Sequence, residues 1–283
     1  MLCCLGSSNR FGWFTILLIA ALVSPHTVPS VKAQTIIGVD SPVATQVCGA
    51  GGCTSALSWL HTVGSNSNRI LVVGVASHAS SAVAVTTVTY GVYALTALAP
   101  QTFAATIAQY LAQQWYLSNP PSGANTVTVR FASAPEDAVG ASVSFFNVGG
   151  VGEANGANGG GSLASVTINS AKSGELVVDT HAAEPALATA GSHQNELWNV
   201  GDPDDSRAAG SDQPASSLVT MQWTFSTPVF WGLVAVDLQP STTTTTSNTT
   251  VIPEYPLGLP ILSILIIIAY GLIRRRTSNR EKI

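Results

Sequence analysis

The sequence has few charged residues. Only 9% of its 283 residues are Asp, Glu, Lys or Arg, against about 25% in typical globular proteins, and 46% are apolar. This composition excludes an intrinsically disordered chain, which needs high charge and few apolar residues. Between positions 34 and 240, thirteen acidic residues outnumber the basic ones, which are Arg69, Arg130, Lys172 and Arg207. The resulting charge of −9 repels a phosphate backbone and excludes a nucleic-acid binder.

The short motifs of common catalytic sites are also missing. The sequence contains no His-Glu-x-x-His, Gly-x-Ser-x-Gly, phosphate-loop or dinucleotide-binding pattern. Side chains suited to acid–base chemistry are present, but the sequence alone does not place any two of them close together in space. They are His61, His78, His181, His193, Glu136, Asp137, Glu153, Glu184 and Glu196. We therefore predict that the protein is not an enzyme. A secreted hydrolase, which needs such groups to converge in a pocket, is an alternative.

Residues 1–33 have the pattern of a secretory signal peptide. Arg10 precedes a 13-residue apolar stretch, 11–23, which is too short to span a bilayer. Prolines follow, and Ala33 is a small residue suited to the position before a cleavage site. We expect cleavage before Gln34, with an uncleaved anchor as the alternative.

The segment 253–283 combines three features. A Pro-Glu motif comes first, formed by Pro253, Glu254, Tyr255 and Pro256. An apolar stretch follows at 257–273, and a basic cluster comes next, formed by Arg274, Arg275 and Arg276. Seventeen residues reach about 25 Å as a helix, the short limit for a membrane span, and arginines stay on the cytoplasmic side. We predict a transmembrane helix over 257–273 and a cytoplasmic basic tail.

This tail resembles the PEP-CTERM-like sorting signals read by exosortases and archaeosortases, and the aromatic residue after Pro-Glu is most similar to the archaeal Pro-Glu-Phe variants. The resemblance implies that the tail is removed and the protein re-attached at the surface, often through a lipid. An ordinary single-pass anchor is the alternative. Both place 34–240 outside the cell. The Ser/Thr-rich segment 241–252 predicts a stalk, and Asn248 begins an N-glycosylation acceptor within it.

The body, 34–240, has a β pattern throughout. Runs rich in Val, Ile and Thr alternate with turn signals, which predicts strands at 55–63, 70–78, 84–90, 107–117, 126–132, 139–148, 165–169, 175–182, 196–200, 218–226 and 229–238. Only 104–114 has a spacing that also fits a helix. Many short strands separated by glycine-rich turns predict an all-β sandwich.

A weak internal repeat refines this prediction. Residues 68–73 have an echo in 173–178, which lies 105 positions later, and 127–143 has an echo in 219–234. We interpret the repeat as two related half-domains interleaved in one two-sheet sandwich, similar to a jelly roll. Chance similarity between Val- and Thr-rich strands is the alternative.

Four segments of the body resemble parts of a widespread type of secreted bacterial and archaeal sandwich domain. They are 58–63, 68–75, 88–91 and 115–117. Such domains occur in large surface proteins and adhesins and generally have no assigned activity, so the resemblance implies architecture more than function.

Cys48 and Cys53 remain after the expected processing. In an oxidising exterior they predict a disulfide that closes a small glycine-rich loop. A metal or redox pair is the less favoured alternative, because the two-residue spacing and a second ligand pair are missing.

Two neighbouring segments are the best candidates for binding. Trp198 lies between Asn195 and Asn199, among amide groups, and is the best candidate for an aromatic side chain that faces a ligand. A capping aromatic at a sheet edge is the alternative. The acidic segment beside it offers hard oxygen ligands for calcium from Asp202, Asp204 and Asp205. Arg207, at a position where an EF-hand needs glycine, excludes that motif. No other cofactor is expected, and a solvated acidic turn is the alternative to a calcium loop.

Together these observations predict a non-enzymatic binding module of the envelope or adhesion type, exposed at the cell surface. Its partners would be the membrane, reached through the helix or a lipid, and envelope proteins or glycans. A carbohydrate-binding module, with or without calcium, and a purely structural envelope component are alternatives. The latter would associate through sheet edges.

Overall fold

The body of the chain is built from antiparallel strands. The computed structural model describes residues 33–49, 51–98, 101–104, 109–202, 206–243 and 258–280. Residues 33–243 form one compact unit. The regular secondary structure described in this unit consists of strands, which confirms the all-β prediction for the body. Three predicted features lie outside the described residues: residues 1–32 of the predicted signal peptide, residues 244–252 of the predicted stalk with Asn248, and the motif 253–256.

The first half of the body folds into two sheets. Its strands are β2 (Gly38–Cys48), β3 (Ala56–Val63), β4 (Ile70–Ala79), β5 (Val85–Tyr90), β6 (Tyr93–Ala94), β7 (Thr96–Ala97), β8 (Gln101–Ala104), β9 (Gln109–Ser118), β10 (Gly123–Phe131) and β11 (Asp137–Phe146). Outer sheet 1 has the order β3-β10-β5-β6; inner sheet 1 has the order β2-β11-β4-β9-β7, with β8 also paired to β9. The described part of 104–114 is therefore strand, not helix.

The second half forms one sheet that folds back on itself. Its strands are β12 (Val148–Ile168), β13 (Leu176–Ala183), β14 (Ala188–Ala190), β15 (Asn195–Asp202), β16 (Ser206–Pro214) and β17 (Val219–Pro240). The order is β12-β17-β13-β16-β15, with β14 paired to β17. The pairing register of β12 with β17 shifts between Gly161 and Leu163. Residues before and after this point pack in the same hydrophobic core, so the sheet folds back on itself here.

We call the part of this sheet made by 163–168, β14 and 219–225 outer sheet 2, and the remainder inner sheet 2. Outer sheet 2 covers inner sheet 2 as outer sheet 1 covers inner sheet 1, and the halves have the same strand order. Only β1 (Ala33–Gln34) with β18 (Thr242–Thr243) pairs across the two described halves. The predicted interleaving in a single jelly-roll sandwich is thus wrong: the body consists of two sandwiches.

The repeat behind this architecture is real, but its predicted offset is wrong by one residue. Leu71 of β4 faces the core of the first sandwich, and Val177 of β13 faces the core of the second. The structural offset is therefore 106 in this strand. Because side chains alternate between the two faces of a strand, a shift of one residue would exchange core and opposite face.

The two inner sheets pack face to face along a surface that we call the seam. Apolar residues from both halves form two shared clusters there. Strands β4 and β13 are buried along their whole length, as expected for strands covered on both faces. Gly74 of β4 lies against Thr180 of β13, and Gln114 of β9 donates a hydrogen bond of 3.3 Å to the Thr180 hydroxyl.

A disulfide joins the end of β2 to the segment before β3. Cys48 and Cys53 are bonded, with Cα atoms 5.2 Å apart, which confirms the predicted pair. Within the same sandwich, Trp59 reaches from outer sheet 1 to inner sheet 1, where its Nε1 donates to Ser142 Oγ at 2.8 Å. Gly140 provides the space, since a Cβ at that position would lie 2.4 Å from the Trp59 ring.

The described part of the C-terminal segment is a helix, α1 (Gly258–Arg280). It begins close to the predicted start but continues past the predicted end at 273, through the three arginines. In the described part of the chain, no helix is both long enough and apolar enough to cross a membrane. The structure confirms a helix in this region and does not confirm the predicted span at 257–273.

The close approach of Gly74 to Thr180 at the seam leads to a prediction about stability. A Cβ on Gly74 would lie 2.4 Å from Thr180 Oγ1 and 2.9 Å from its Cγ2, so we expect Gly74→Ala to lower the unfolding free energy by about 1–3 kcal/mol. Thr180→Ala removes both atoms. The double variant should therefore be more stable than the sum of the two single changes implies, as measured by urea denaturation.

Gly150→Ala is the matched control, because its Cβ would meet nothing closer than 3.6 Å. Strict additivity of the Gly74 and Thr180 changes would show that the two side-chain positions do not compete for space.

Candidate functional site

The predicted ligand-facing tryptophan is buried. Trp198 is 8% exposed and packs in the seam, where Gly74 and Gly210 leave room for its ring. The prediction that it faces a ligand is wrong, because β15 belongs to inner sheet 2 and turns this side chain toward inner sheet 1. Asn195 is exposed, and its side chain is hydrogen-bonded to Asp212. Asn199 is half-buried and donates to the Ala188 carbonyl at 3.0 Å.

The three predicted calcium ligands are only partly described. Asp202 is the last residue of β15 and pairs with Ser206, whereas Asp204 and Asp205 lie outside the described residues. Within the residues that are described, no group of three or more His, Cys, Asp or Glu side chains is arranged to hold a metal. Calcium binding by this segment stays a prediction.

Tryptophans offer no stacking platform on the described surface of the body. All five body tryptophans are less than 9% exposed: Trp59, Trp115, Trp198, Trp223 and Trp231. The aromatic side chains that are substantially exposed in residues 33–243, among those described, are Tyr93 at 46% and Phe230 at 41%. They lie on different halves, so no row of aromatic rings is formed by them.

The outer sheets present hydroxyl groups to solvent. On outer sheet 1, alternation places apolar residues inward and a set of hydroxyls outward, which we call the first hydroxyl face: Ser58, Thr62, Thr87, Thr89, Thr126 and Thr128. Ser58 Oγ donates to Thr128 Oγ1 across β3 and β10 at 3.0 Å. Arg130 adds one charge at the edge of this face, and Leu60, 64% exposed, lies within it.

Outer sheet 2 repeats this pattern. Its outward hydroxyls form the second hydroxyl face: Ser165, Thr167, Thr189, Thr220 and Thr224. The hydroxyls of Thr167 and Thr220 lie 2.9 Å apart on paired strands. Both faces are therefore rows of neutral donors and acceptors on flat, paired strands.

A polar centre lies at one end of the seam. His78 of β4 and Asp137 of β11 are directly paired, and His78 Nδ1 is 2.9 Å from Asp137 Oδ2. Ser206 of β16 donates to the other oxygen of the same carboxylate. Tyr110 stacks on the imidazole at a centroid distance of 4.6 Å. The centre thus joins four strands, β4, β9, β11 and β16, and both halves.

This arrangement is not a Ser–His–Asp triad. The Ser206 hydroxyl is bonded to Asp137 rather than to His78, so the imidazole does not activate it as a nucleophile. The His78 nitrogen that faces away from Asp137 lies 4.0 Å from Glu136. Sequence reasoning identified His78, Glu136 and Asp137 singly and missed Ser206. The pairing of β4 with β11, which brings His78 to Asp137 across 59 positions of the chain, carries no local signal.

The core of the second sandwich holds a buried carboxyl network. Asp179 Oδ1 accepts the backbone N–H of Ser211 at 2.7 Å and its hydroxyl at 2.8 Å, and Oδ2 accepts Trp223 Nε1 at 2.8 Å. These donors favour the ionised form, but burial outweighs them and raises the pKa of Asp179 to about 7. Gln194 completes the network by donating to Ser211 Oγ at 2.7 Å.

A second buried carboxyl lies at the end of the same core. Burial, followed by the charge of Glu175, raises the pKa of Asp237 to about 7. A Cβ on Gly152 would lie 2.4 Å from Asp237 Oδ2, so the glycine leaves room for this side chain. Glu153, one of the predicted acid–base candidates, lies near but accepts the backbone N–H groups of Asn169 and Ser170.

Two histidines are held neutral inside the sandwiches. Burial lowers the pKa of His61 to about 4, against the opposing charge of Asp40, and lowers that of His181 to about 3. His181 is fully buried against the rings of Trp223 and Phe225, and neither ring nitrogen has a hydrogen-bond partner. Both residues are core components.

These groups predict a stability maximum in mild acid. Between about pH 4 and pH 7, folded Asp179 and Asp237 hold protons that the unfolded carboxyls, with pKa values of about 3.9, have lost, so their contribution to stability falls as the pH rises. Between about pH 6.5 and pH 3, the unfolded histidines are protonated while folded His61 and His181 are not, so their contribution falls as the pH drops. The two contributions oppose each other between about pH 4 and pH 6.5, and net stability falls on either side of that interval. Urea midpoints measured across this range test the curve.

Two variants test the acid side and the neutral side of this stability–pH curve separately. Asp237→Asn should flatten the decline above pH 6, and His181→Phe should flatten the decline in acid. A midpoint that rises steadily through neutral pH in the unchanged chain would contradict the assignment.

Comparison with known proteins gives no relative for this chain: no family model, no curated protein and no solved structure matches it.

Proposed function

We propose that the chain is a non-enzymatic binding module of the cell surface, of the envelope or adhesion type. The proposal is supported most by the first hydroxyl face, in which neutral hydroxyls lie on the three paired strands β3, β10 and β5, with a single arginine near one end of β10. Such a surface suits an uncharged polymer rich in hydroxyl groups, which identifies neutral envelope glycans as the ligand class. The acidic body, with its charge of −9, disfavours polyanionic ligands.

The mode of glycan binding would differ from that expected from the tryptophans. A stacking site needs an exposed aromatic platform, and Trp198 does not supply one. Hydrogen bonding by paired Ser and Thr hydroxyls replaces it in this proposal. Adjacent strands lie about 4.8 Å apart, so the hydroxyls form a two-dimensional array rather than a pocket.

The hydrolase alternative has less support. In the His78 centre the described serine is turned toward Asp137, and the two buried carboxyls of the second sandwich are enclosed in its core. An enzyme needs its acid–base groups to meet a substrate. A binding role does not require acid–base groups to contact the ligand.

The ligand-binding prediction uses the two hydroxyl faces as each other's control. Lysines at two paired positions of the first face, Thr89→Lys with Thr128→Lys, should weaken binding of the full chain to neutral envelope glycans at least tenfold by displacing hydroxyls and crowding the surface. The matched change on the second face, Thr167→Lys with Thr220→Lys, should leave affinity within about twofold. Binding is measured on a glycan array and on isolated envelope polysaccharide.

Unfolding midpoints of both double variants must match that of the unchanged chain, so that a loss of binding is not a loss of fold. Equal binding by all three chains, or a loss confined to the second-face variant, would contradict the role of the first face. Repeating the array with a chelator tests the predicted calcium dependence.

We also propose that the chain is exported and retained at the surface, on the basis of the signal-peptide pattern in 1–33 and the sorting-tail resemblance of 253–276. The intact mass of the protein recovered from cells checks both ends. We expect the mature chain to begin at Gln34 and to lack the basic cluster 274–276. A mature chain that begins at Met1 would contradict export by cleavage, and one that keeps the arginines would contradict sorting.

A further inference from the structure

The His78 centre contains an imidazole with a fixed orientation and an open nitrogen. Asp137 accepts a hydrogen bond from Ser206 with one oxygen and faces His78 Nδ1 with the other at 2.9 Å. A carboxylate acceptor at this position favours the imidazole tautomer with the proton on Nδ1, which leaves the Nε2 lone pair facing away from Asp137. Stacking on Tyr110 holds the plane of the ring.

A carboxylate oxygen faces this lone pair. Glu136 Oε2 lies 4.0 Å from His78 Nε2, and the Glu136 side chain is 50% exposed while that of His78 is 11% exposed. The other oxygen, Oε1, accepts the backbone N–H of Ser80 at 2.9 Å, which anchors the carboxylate next to the ring.

We propose that His78 and Glu136 bind a divalent transition-metal ion of the Zn²⁺ class, with His78 Nε2 and Glu136 Oε2 as protein ligands and water in the remaining positions. An imidazole with a carboxylate is a donor set that suits zinc, whereas calcium and magnesium prefer oxygen ligands throughout. Asp137 completes the carboxylate–histidine–metal arrangement that orients metal-bound histidines in other proteins.

The distance between the two donors fits such an ion after a small adjustment. Two ligands at about 2.0–2.1 Å from a tetrahedral zinc ion lie about 3.3 Å apart. The half-exposed Glu136 carboxylate reaches that separation by rotating about its anchored oxygen. Two protein ligands are fewer than the three typical of catalytic sites, so the ion keeps open positions.

Binding would also stabilise the seam. Asp137 links His78, in the first half, to Ser206, in the second half. An ion on Nε2 strengthens the Nδ1–H···Asp137 bond by withdrawing charge from the ring. Because the unfolded chain does not hold these groups together, Zn²⁺ should raise the unfolding temperature in a concentration-dependent way.

The test is a calorimetric titration of the full chain with ZnCl₂, together with its unfolding temperature at rising Zn²⁺. Glu136→Gln keeps an oxygen for the Ser80 N–H but replaces the ligand oxygen with an amide nitrogen, so we expect affinity to fall by about 10–100-fold. Glu153→Gln is the matched control: it is a carboxylate that also accepts backbone N–H groups but has no histidine beside it. His193→Ala controls for adventitious binding to an exposed imidazole.

The expected result is saturable binding of one Zn²⁺ ion that is lost in Glu136→Gln and kept in both controls, with a rise in unfolding temperature that follows the same pattern. The absence of saturable binding in the unchanged chain would overturn the proposal. So would equal affinity in Glu136→Gln, or a loss in His193→Ala that matches the loss in Glu136→Gln. His78→Gln adds a direct test, because its unfolding temperature should no longer respond to Zn²⁺ whatever its starting stability.

Discussion

The seam between the inner sheets is the interaction on which the rest of the body depends. Each outer sheet covers only one face of its inner sheet, so the opposite face must be buried against something else. The two inner sheets bury each other, through clusters that contain residues from both halves, such as Val72 and Val178. Each buried aliphatic side chain contributes about 1.5–3 kcal/mol, and either sandwich alone would expose a whole sheet face of them.

Burial on both faces also explains which elements were predictable. The continuous apolar runs of β4 and β13 predicted strands within a few residues of their observed bounds. The first limb of β12 was missed because its glycines and asparagines carry turn signals, although its backbone pairs along β17. Strand β16 was missed because its acidic flanks indicated a loop. In both strands, backbone pairing with a neighbour outweighed local propensity.

The polar centre was beyond sequence reasoning for a related reason. His78, Asp137 and Ser206 meet only because β4 and β11 pair within inner sheet 1 and β16 of inner sheet 2 packs against them. No spacing along the chain encodes that meeting. For Trp198, by contrast, the sequence predicted a binding role that its buried position does not support. Its polar neighbours suggested an exposed ring, but the room left by Gly74, more than a hundred positions away, makes the seam its site. Fold class and the disulfide needed only local pattern; the site needed the register between distant strands.

The two sandwiches share an architecture but divide its chemistry unequally. At the structural offset of β4 and β13, Val73 and Val75 in the first core correspond to Asp179 and His181 in the second. The first core is apolar at these positions and has a disulfide beside it, whereas the second must satisfy a buried carboxyl and accommodate an imidazole without partners. Buried polar groups of this kind lower stability unless they are fully paired. At these positions of the shared architecture, the first core therefore gains stability from apolar burial, whereas the second uses hydrogen bonds to offset the cost of burying Asp179.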